Sequence, residues 1–214
     1  MNEHYPFVNP PLPYAYDSLE PYIDTQTMYL HHDRLQQRYV ANLNAALSGY
    51  PELQNKSLEE LLSDPGSLPS EIRQTIINNG GGVYNHTIYF NGMTNSMSRS
   101  QAQALYPAII ESFGTIENFF DEFKRYALQV FGSGYAWLVL DQNGKLALVT
   151  TPNQNTPISN GLCVIAAIDV WEHAYFLKRF NDRAAYLEDW FHVVNWEMAD
   201  ERYLLCTNNI QTTE

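Results

Sequence analysis

The order of local patterns predicts an α+β chain, an N-terminal α-helical hairpin followed by a C-terminal α/β domain. Three observations carry that expectation. Two long segments before residue 92 repeat apolar or ring-bearing residues at helical spacing. Three β-prone runs follow between residues 135 and 168, the first two joined by Asp141-Gln142-Asn143-Gly144, a hairpin turn. Helical spacing resumes beyond Trp171.

Residues 1–22 hold five prolines (Pro6, Pro10, Pro11, Pro13 and Pro21) with aromatics between them, which predicts an extended arm packed on the body and no helix. Asp24 is a suitable N-cap for a helix over residues 25–47. His31, Leu35, Tyr39 and Leu43 recur every fourth residue and share one face, with His32, Arg34 and Gln36 pointing elsewhere. Gly49-Tyr50-Pro51 ends it. A short helix over 58–62 leads through Asp64-Pro65-Gly66 to a second long helix, with Ser70 as its expected cap and Ile72, Ile76, Val83 and Phe90 as its apolar stripe. Gly80-Gly81-Gly82 is unusual there, because each glycine costs about 1 kcal/mol in a helix interior relative to alanine. Such a run predicts the close approach of another part of the molecule. His86 follows Gly82 by one turn.

Polar residues 92–103 make the best boundary, dividing the chain into 1–92 and 93–214. Beyond it Thr115 caps a helix reaching about Phe131. The β-prone runs are Tyr135 to Leu140, Lys145 to Thr150 and Leu162 to Ile168. Residues 183–191 and 195–205 are the last helical segments.

Composition narrows the function. With 214 residues, 45% of them apolar, the chain can bury one substantial core or two small ones. A net charge of −12 and a pI near 4.8 argue against non-specific binding of nucleic acid or anionic membrane. No run approaches the ~18 apolar residues of a spanning helix, and Met1 to Pro6 lacks the blocks of a signal peptide. Cys163 and Cys206 are too few for a disulfide framework or a cysteine zinc site, so a reduced, cytoplasmic setting is expected.

The chemistry centres on Ile168-Asp169-Val170-Trp171-Glu172-His173-Ala174-Tyr175. An acid ends a β-prone run and a histidine follows four residues later, so one oxygen and one nitrogen can reach the same ion. Taken alone, the stretch is equally a strand-to-helix junction with Asp169 as a cap and His173 packed in the core. The helical histidines His31 and His86 add two further donors.

Together with these residues, Leu12-Pro13-Tyr14-Ala15-Tyr16-Asp17, residues 39–47, Asn85-His86, Gly132-Ser133-Gly134, Thr151-Pro152-Asn153-Gln154 and Val194-Asn195-Trp196 carry a resemblance. The chain is similar to the iron/manganese superoxide dismutases over nearly its whole length. The resemblance implies an antiparallel helical hairpin joined to a domain with a three-stranded antiparallel sheet. It implies His31, His86, Asp169 and His173 as ligands of one manganese or iron ion per subunit, with superoxide anion as the substrate. Tyr39 would gate the substrate path and Gln154 would hydrogen-bond the metal-bound solvent. Gly82 together with Gln154 matches the manganese pattern, Gly82 leaving the space that Gln154 fills. Arg34, Trp137, Trp171 and Arg183 match positions around the ion and the substrate funnel, and Glu172 matches a residue that bridges a homodimer to the partner's ligand histidine.

The departures cluster around the same site. Leu35 and Phe176 stand where the family commonly pairs a histidine with a tyrosine, Phe90 and Tyr135 replace tryptophans, and Val83 replaces a frequent histidine. Exchanging both members of a polar pair avoids stranding a buried polar group, which costs ~1–3 kcal/mol. These departures leave open a relative that keeps the fold and the ligands with weak or altered dismutase activity. A hydrolytic metal enzyme needs an acid/base carboxylate beside an open metal position, and the motifs place none.

Overall fold

The computed structural model describes residues 4–95 and 102–211. The described part of the arm, residues 4–23, forms turns and no helix, and anchors itself by burying Phe7, Leu19 and Ile23. Helix α1 (Thr25–Tyr29) starts where the Asp24 carboxylate accepts from the Thr27 N–H at 2.8 Å. The helical path then widens into a π-helical stretch (Leu30–Gln36) before resuming as α2 (Gln37–Leu47). This stretch buries more than the predicted face. His31 is buried as expected, but so are His32 and Gln36, while Leu35 is only half-buried. The His32 ring lies between the Asp33 carboxylate (2.7 Å) and the Pro10 carbonyl (2.8 Å), and Gln36 donates to Thr87 on the second long helix.

Helix α3 (Leu58–Ser63) carries a reciprocal cap between Ser57 and Glu60. Helix α4 (Ser70–Asn91) begins at Ser70 after Pro69, and no side chain caps it, contrary to the expected role of Ser70. Gln36 meets Thr87 and Asn42 meets Asn79, so α2 and α4 run antiparallel as a hairpin. The boundary expected over residues 92–103 falls partly outside the described residues. Gly92 to Thr94 are stitched to Val193–Asn195 by backbone hydrogen bonds.

The second half opens with α5 (Leu105–Phe113), which the sequence reading did not anticipate, and α6 (Ile116–Gln129), capped by Thr115. Strands β1 (Gly134–Leu140), β2 (Leu146–Pro152) and β3 (Cys163–Asp169) form an antiparallel sheet in the order β2-β1-β3. Central strand β1 is buried along its whole length and separates two cores. Ala136, Leu138 and Leu140 pack with α6 and the C-terminal helix, and Tyr135, Trp137 and Val139 pack with the hairpin. Helices α7 (Phe176–Arg179), α8 (Arg183–Phe191) and α9 (Trp196–Gln211) complete the fold. No helix among the described residues is long and apolar enough to cross a membrane.

The expected reduced state of the cysteines is overturned. Cys163 at the start of β3 and Cys206 on α9 are joined by a disulfide, so neither is a free thiol and the cysteines no longer argue for a reducing compartment. The pairing depends on α9 lying along β3, which spacing in sequence does not reveal. Cys163→Ser combined with Cys206→Ser should lower stability by up to about 4 kcal/mol, the loop-closure figure for a bridge of this span, whose sequence separation is 43. The expected signature is a lower urea midpoint that reductant reproduces in the parent protein and leaves unchanged in the double variant.

Candidate metal centre

Four side chains from four elements converge between the hairpin and the sheet. The π-helical stretch brings His31, α4 brings His86, the end of β3 brings Asp169, and the short turn after it brings His173. One donor atom from each lies within 4.8 Å of all the others. The arrangement is centred on a single oxygen. Asp169 Oδ2 is 3.2 Å from Nε2 of His31, 3.2 Å from Nε2 of His173 and 3.6 Å from Nε2 of His86.

The other atoms of Asp169 are already occupied. Its Oδ1 accepts from the Trp171 N–H at 2.8 Å, and its carbonyl accepts from the Tyr186 hydroxyl at 2.9 Å. Oδ2 therefore faces the imidazoles. Burial would push this carboxyl up, yet His173 and His31 hold it well below the usual carboxylate range, so it is ionised at neutral pH. Burial pushes His31 down to about 4 and His86 down to about 3, so both rings are neutral. His86 Nδ1 donates to the Gly82 carbonyl at 2.6 Å, which fixes the tautomer and leaves the Nε2 lone pair pointing at the cluster. The Nε2 atoms of His31 and His86 are fully buried and have no hydrogen-bond partner.

Buried polar atoms without partners carry a desolvation cost of about 1–3 kcal/mol each. Two orphaned imidazole nitrogens around one anionic oxygen fit a metal ion. Three imidazoles and one carboxylate suit a redox-active first-row ion.

The surrounding residues divide into those at the cluster and those away from it. Tyr39 lies with its ring 5.3 Å from that of His86, and its hydroxyl accepts from Gln154 Nε2 at 3.2 Å. Asn85, fully buried and unassigned by the sequence reading, donates to the Gln154 side-chain and backbone oxygens at 3.2 Å. The Trp171 ring lies 5.4 Å from that of His173, and Trp137 donates to Thr151 and lies 5.3 Å from Tyr135. Phe90 is edge-on to His31 at 4.9 Å, and Val83 is buried.

The glycine run meets its neighbours as predicted, but with different partners. The three atoms nearest to a Cβ at Gly82 would all belong to the Tyr39 ring, the closest at 2.5 Å, whereas a Cβ at Gly81 would overlap the Gln154 carbonyl oxygen. The space at Gly82 thus admits Tyr39, and Gln154 sits over Gly81. Gly81→Ala should destabilise the protein by about 1–3 kcal/mol, as overpacking against backbone does. It should also slow any reaction that needs Gln154 in place. Gly49→Ala, whose added methyl meets nothing within 4 Å, is the control for thermal midpoint and rate.

A cavity of about 340 Å³ leads from the surface to His31 and His173, walled by Leu35, Phe176 and Leu177. Arg34 and Arg38 line it. Arg38, one helical turn beyond Arg34, went unassigned in the sequence reading although the spacing placed it on the same side. Arg183 is not among the lining residues. Its guanidinium donates to the Val130 and Gly132 carbonyls and the Tyr175 hydroxyl. Glu172 is exposed beside His173.

Comparison with known proteins decides the family. Residues 6–94 match the family model for the alpha-hairpin domain of iron/manganese superoxide dismutases, and residues 101–202 match the model for their C-terminal domain. The chain belongs to this family. A relative from Bacillus anthracis, Superoxide dismutase [Mn] 2, is 46% identical over 198 residues, spanning 92% of this chain and 95% of that protein. The dismutase family's activity is the disproportionation of superoxide, and the four-donor cluster is the place in this dismutase for a manganese or iron ion.

Proposed function

We propose that His31, His86, Asp169 and His173 bind one manganese ion per subunit, and that two superoxide anions and two protons become oxygen and hydrogen peroxide there. The observation that carries this reading is the convergence of three Nε2 atoms on one buried, ionised carboxylate oxygen. A bound ion supplies the one-electron couple, and the chain supplies everything else. Two ligands come from residues 1–92 and two from 93–214, the proposed domains.

Tyr39 and Gln154, joined by a hydrogen bond beside the cluster, hold solvent and its protons in place. Arg34 and Arg38 draw the anion toward the cavity against the overall charge of −12, since local charge outweighs net charge within a Debye length of ~8–10 Å. Manganese is favoured over iron by the metal in the name of the 46% identical relative, the space at Gly82 being filled by Tyr39 and Gln154 lying over Gly81. Exposed Phe176 and Leu177 at the cavity, with Glu172 beside His173, support a homodimer built on this face. The cytoplasmic setting expected from the sequence loses its cysteine argument, and fractionation combined with alkylation of Cys163 and Cys206 would assign the compartment.

Leu35 and Phe176 favour a second reading, a metal-binding relative with weak or altered activity, because together they give the cavity apolar walls. Elemental analysis and superoxide decay, on the parent and on His173→Ala, separate the two. The first reading expects manganese and rapid decay in the parent, both lost in the variant. Manganese without decay selects the second reading, and a parent that holds no metal sinks both.

A further inference from the structure

Tyr135 is the second residue of β1 and the direct partner of Asp169 across the antiparallel β1–β3 pair. Residues so paired project to the same face, with Cβ atoms about 5 Å apart. The phenol is fully buried, 3.1 Å from Asp169 Oδ2 and 3.4 Å from His86 Nδ1. A hydroxyl has one proton to give. His86 Nδ1 already directs its N–H to the Gly82 carbonyl, so it offers no lone pair. The acceptor left for the Tyr135 proton is Asp169 Oδ2, the atom around which the three Nε2 atoms gather. Position 135 is also one at which this chain departs from its family.

We propose that Tyr135 is a positioning residue that sets the redox poise of the bound ion by donating its O–H to the ligating oxygen of Asp169. The inference rests on the ligand set proposed above. A hydrogen bond draws electron density out of the oxygen it reaches, and partners of this kind tune what a ligand gives to its metal. Weakening an anionic donor takes more stabilisation from the trivalent ion than from the divalent one. Losing the hydroxyl therefore shifts the ion toward the trivalent state.

The test is a potentiometric titration of the manganese-loaded protein, followed by its visible absorption, for the parent and Tyr135→Phe. With metal content unchanged, the ratio of trivalent to divalent ion at a fixed solution potential should rise about tenfold, a shift of ~59 mV for a one-electron couple. A ring-fluorinated tyrosine placed at position 135 keeps nearly the same size and donates more strongly, so it should move the couple the opposite way. That variant decides the matter if Tyr135→Phe fails to fold. Equal potentials with metal retained overturn this inference alone, whereas a parent protein without bound redox metal overturns the ligand set as well.

Discussion

Asp169→Asn should strip the protein of manganese and abolish superoxide decay while leaving the fold in place. The asparagine has the shape of the aspartate, its side-chain oxygen can still accept from the Trp171 N–H, and its carbonyl can still accept from the Tyr186 hydroxyl. What it lacks is charge at the point where three imidazoles meet. Asp169 supplies the only anionic donor among the four, and its Oδ2 is the atom closest to all three Nε2 atoms. Replacing it leaves three imidazoles and no anionic donor to hold a cation in a buried site. Removing an outer hydrogen-bond partner of a ligand typically weakens metal affinity by 10–100-fold, and removing the charged ligand itself should exceed that range. Elemental analysis after dialysis gives the metal content, far-UV circular dichroism reports the helices, and superoxide decay reports the activity. Metal retained at parental levels would show that Asp169 is no ligand.

How much of this was legible in the sequence depended on whether the physics was local. Asp24, Thr115 and Asp182 cap their helices with side chains a few residues away, so their helix starts could be read or nearly read. Helix α5 could not. Its first N–H groups, from Ala104 and Leu105, donate to Asp200 on α9, a cap nearly a hundred residues distant in sequence. The only local hints were Pro107 in its first turn and Gly114 just past its end, at φ 85°. The π-helical stretch is likewise a tertiary outcome, because His32 is held by the Pro10 carbonyl and Gln36 by Thr87. Leu35 nevertheless keeps the side of His31, both lining the same cavity. The metal cluster was legible because its motifs are short and chemically distinctive. The resemblance named Gly82 but missed what fills its space, since a glycine signals proximity without naming the neighbour. Tyr135 was noted as a departure from the family, but its reach to Asp169 follows from strand register alone.

Acid should destabilise the metal-free protein well before its carboxylates titrate. His31 and His86 are buried as neutral rings. Burial, reinforced by the neighbouring His173, lowers His31 from 6.5 to about 4, and burial with the neighbouring His31 lowers His86 to about 3. In the unfolded chain both rings take up protons near 6.5. Between that pH and 4 the unfolded state thus binds more protons than the folded one, and folding loses about 1.4 kcal/mol per pH unit for each histidine. For His31 alone the loss accumulates to roughly 3 kcal/mol by pH 4, a large part of a typical 5–15 kcal/mol total. Asp169 acts in the same direction but lower down. Its carboxyl is held below the usual range in the fold, so its contribution is lost only as pH falls through the ordinary carboxylate range and beyond. Bound metal needs the same deprotonated nitrogens, so acid should also release it, and the loaded protein should lose stability more abruptly than the metal-free one. Urea midpoints of the metal-free protein at pH 7, 6, 5 and 4 test the slope. His31→Gln should remove about one histidine's share of it between pH 6.5 and 4, because a glutamine has no proton to gain. A parent midpoint that stays flat over that range would mean that the rings of His31 and His86 are not held neutral, and their nitrogens could not then be waiting for an ion.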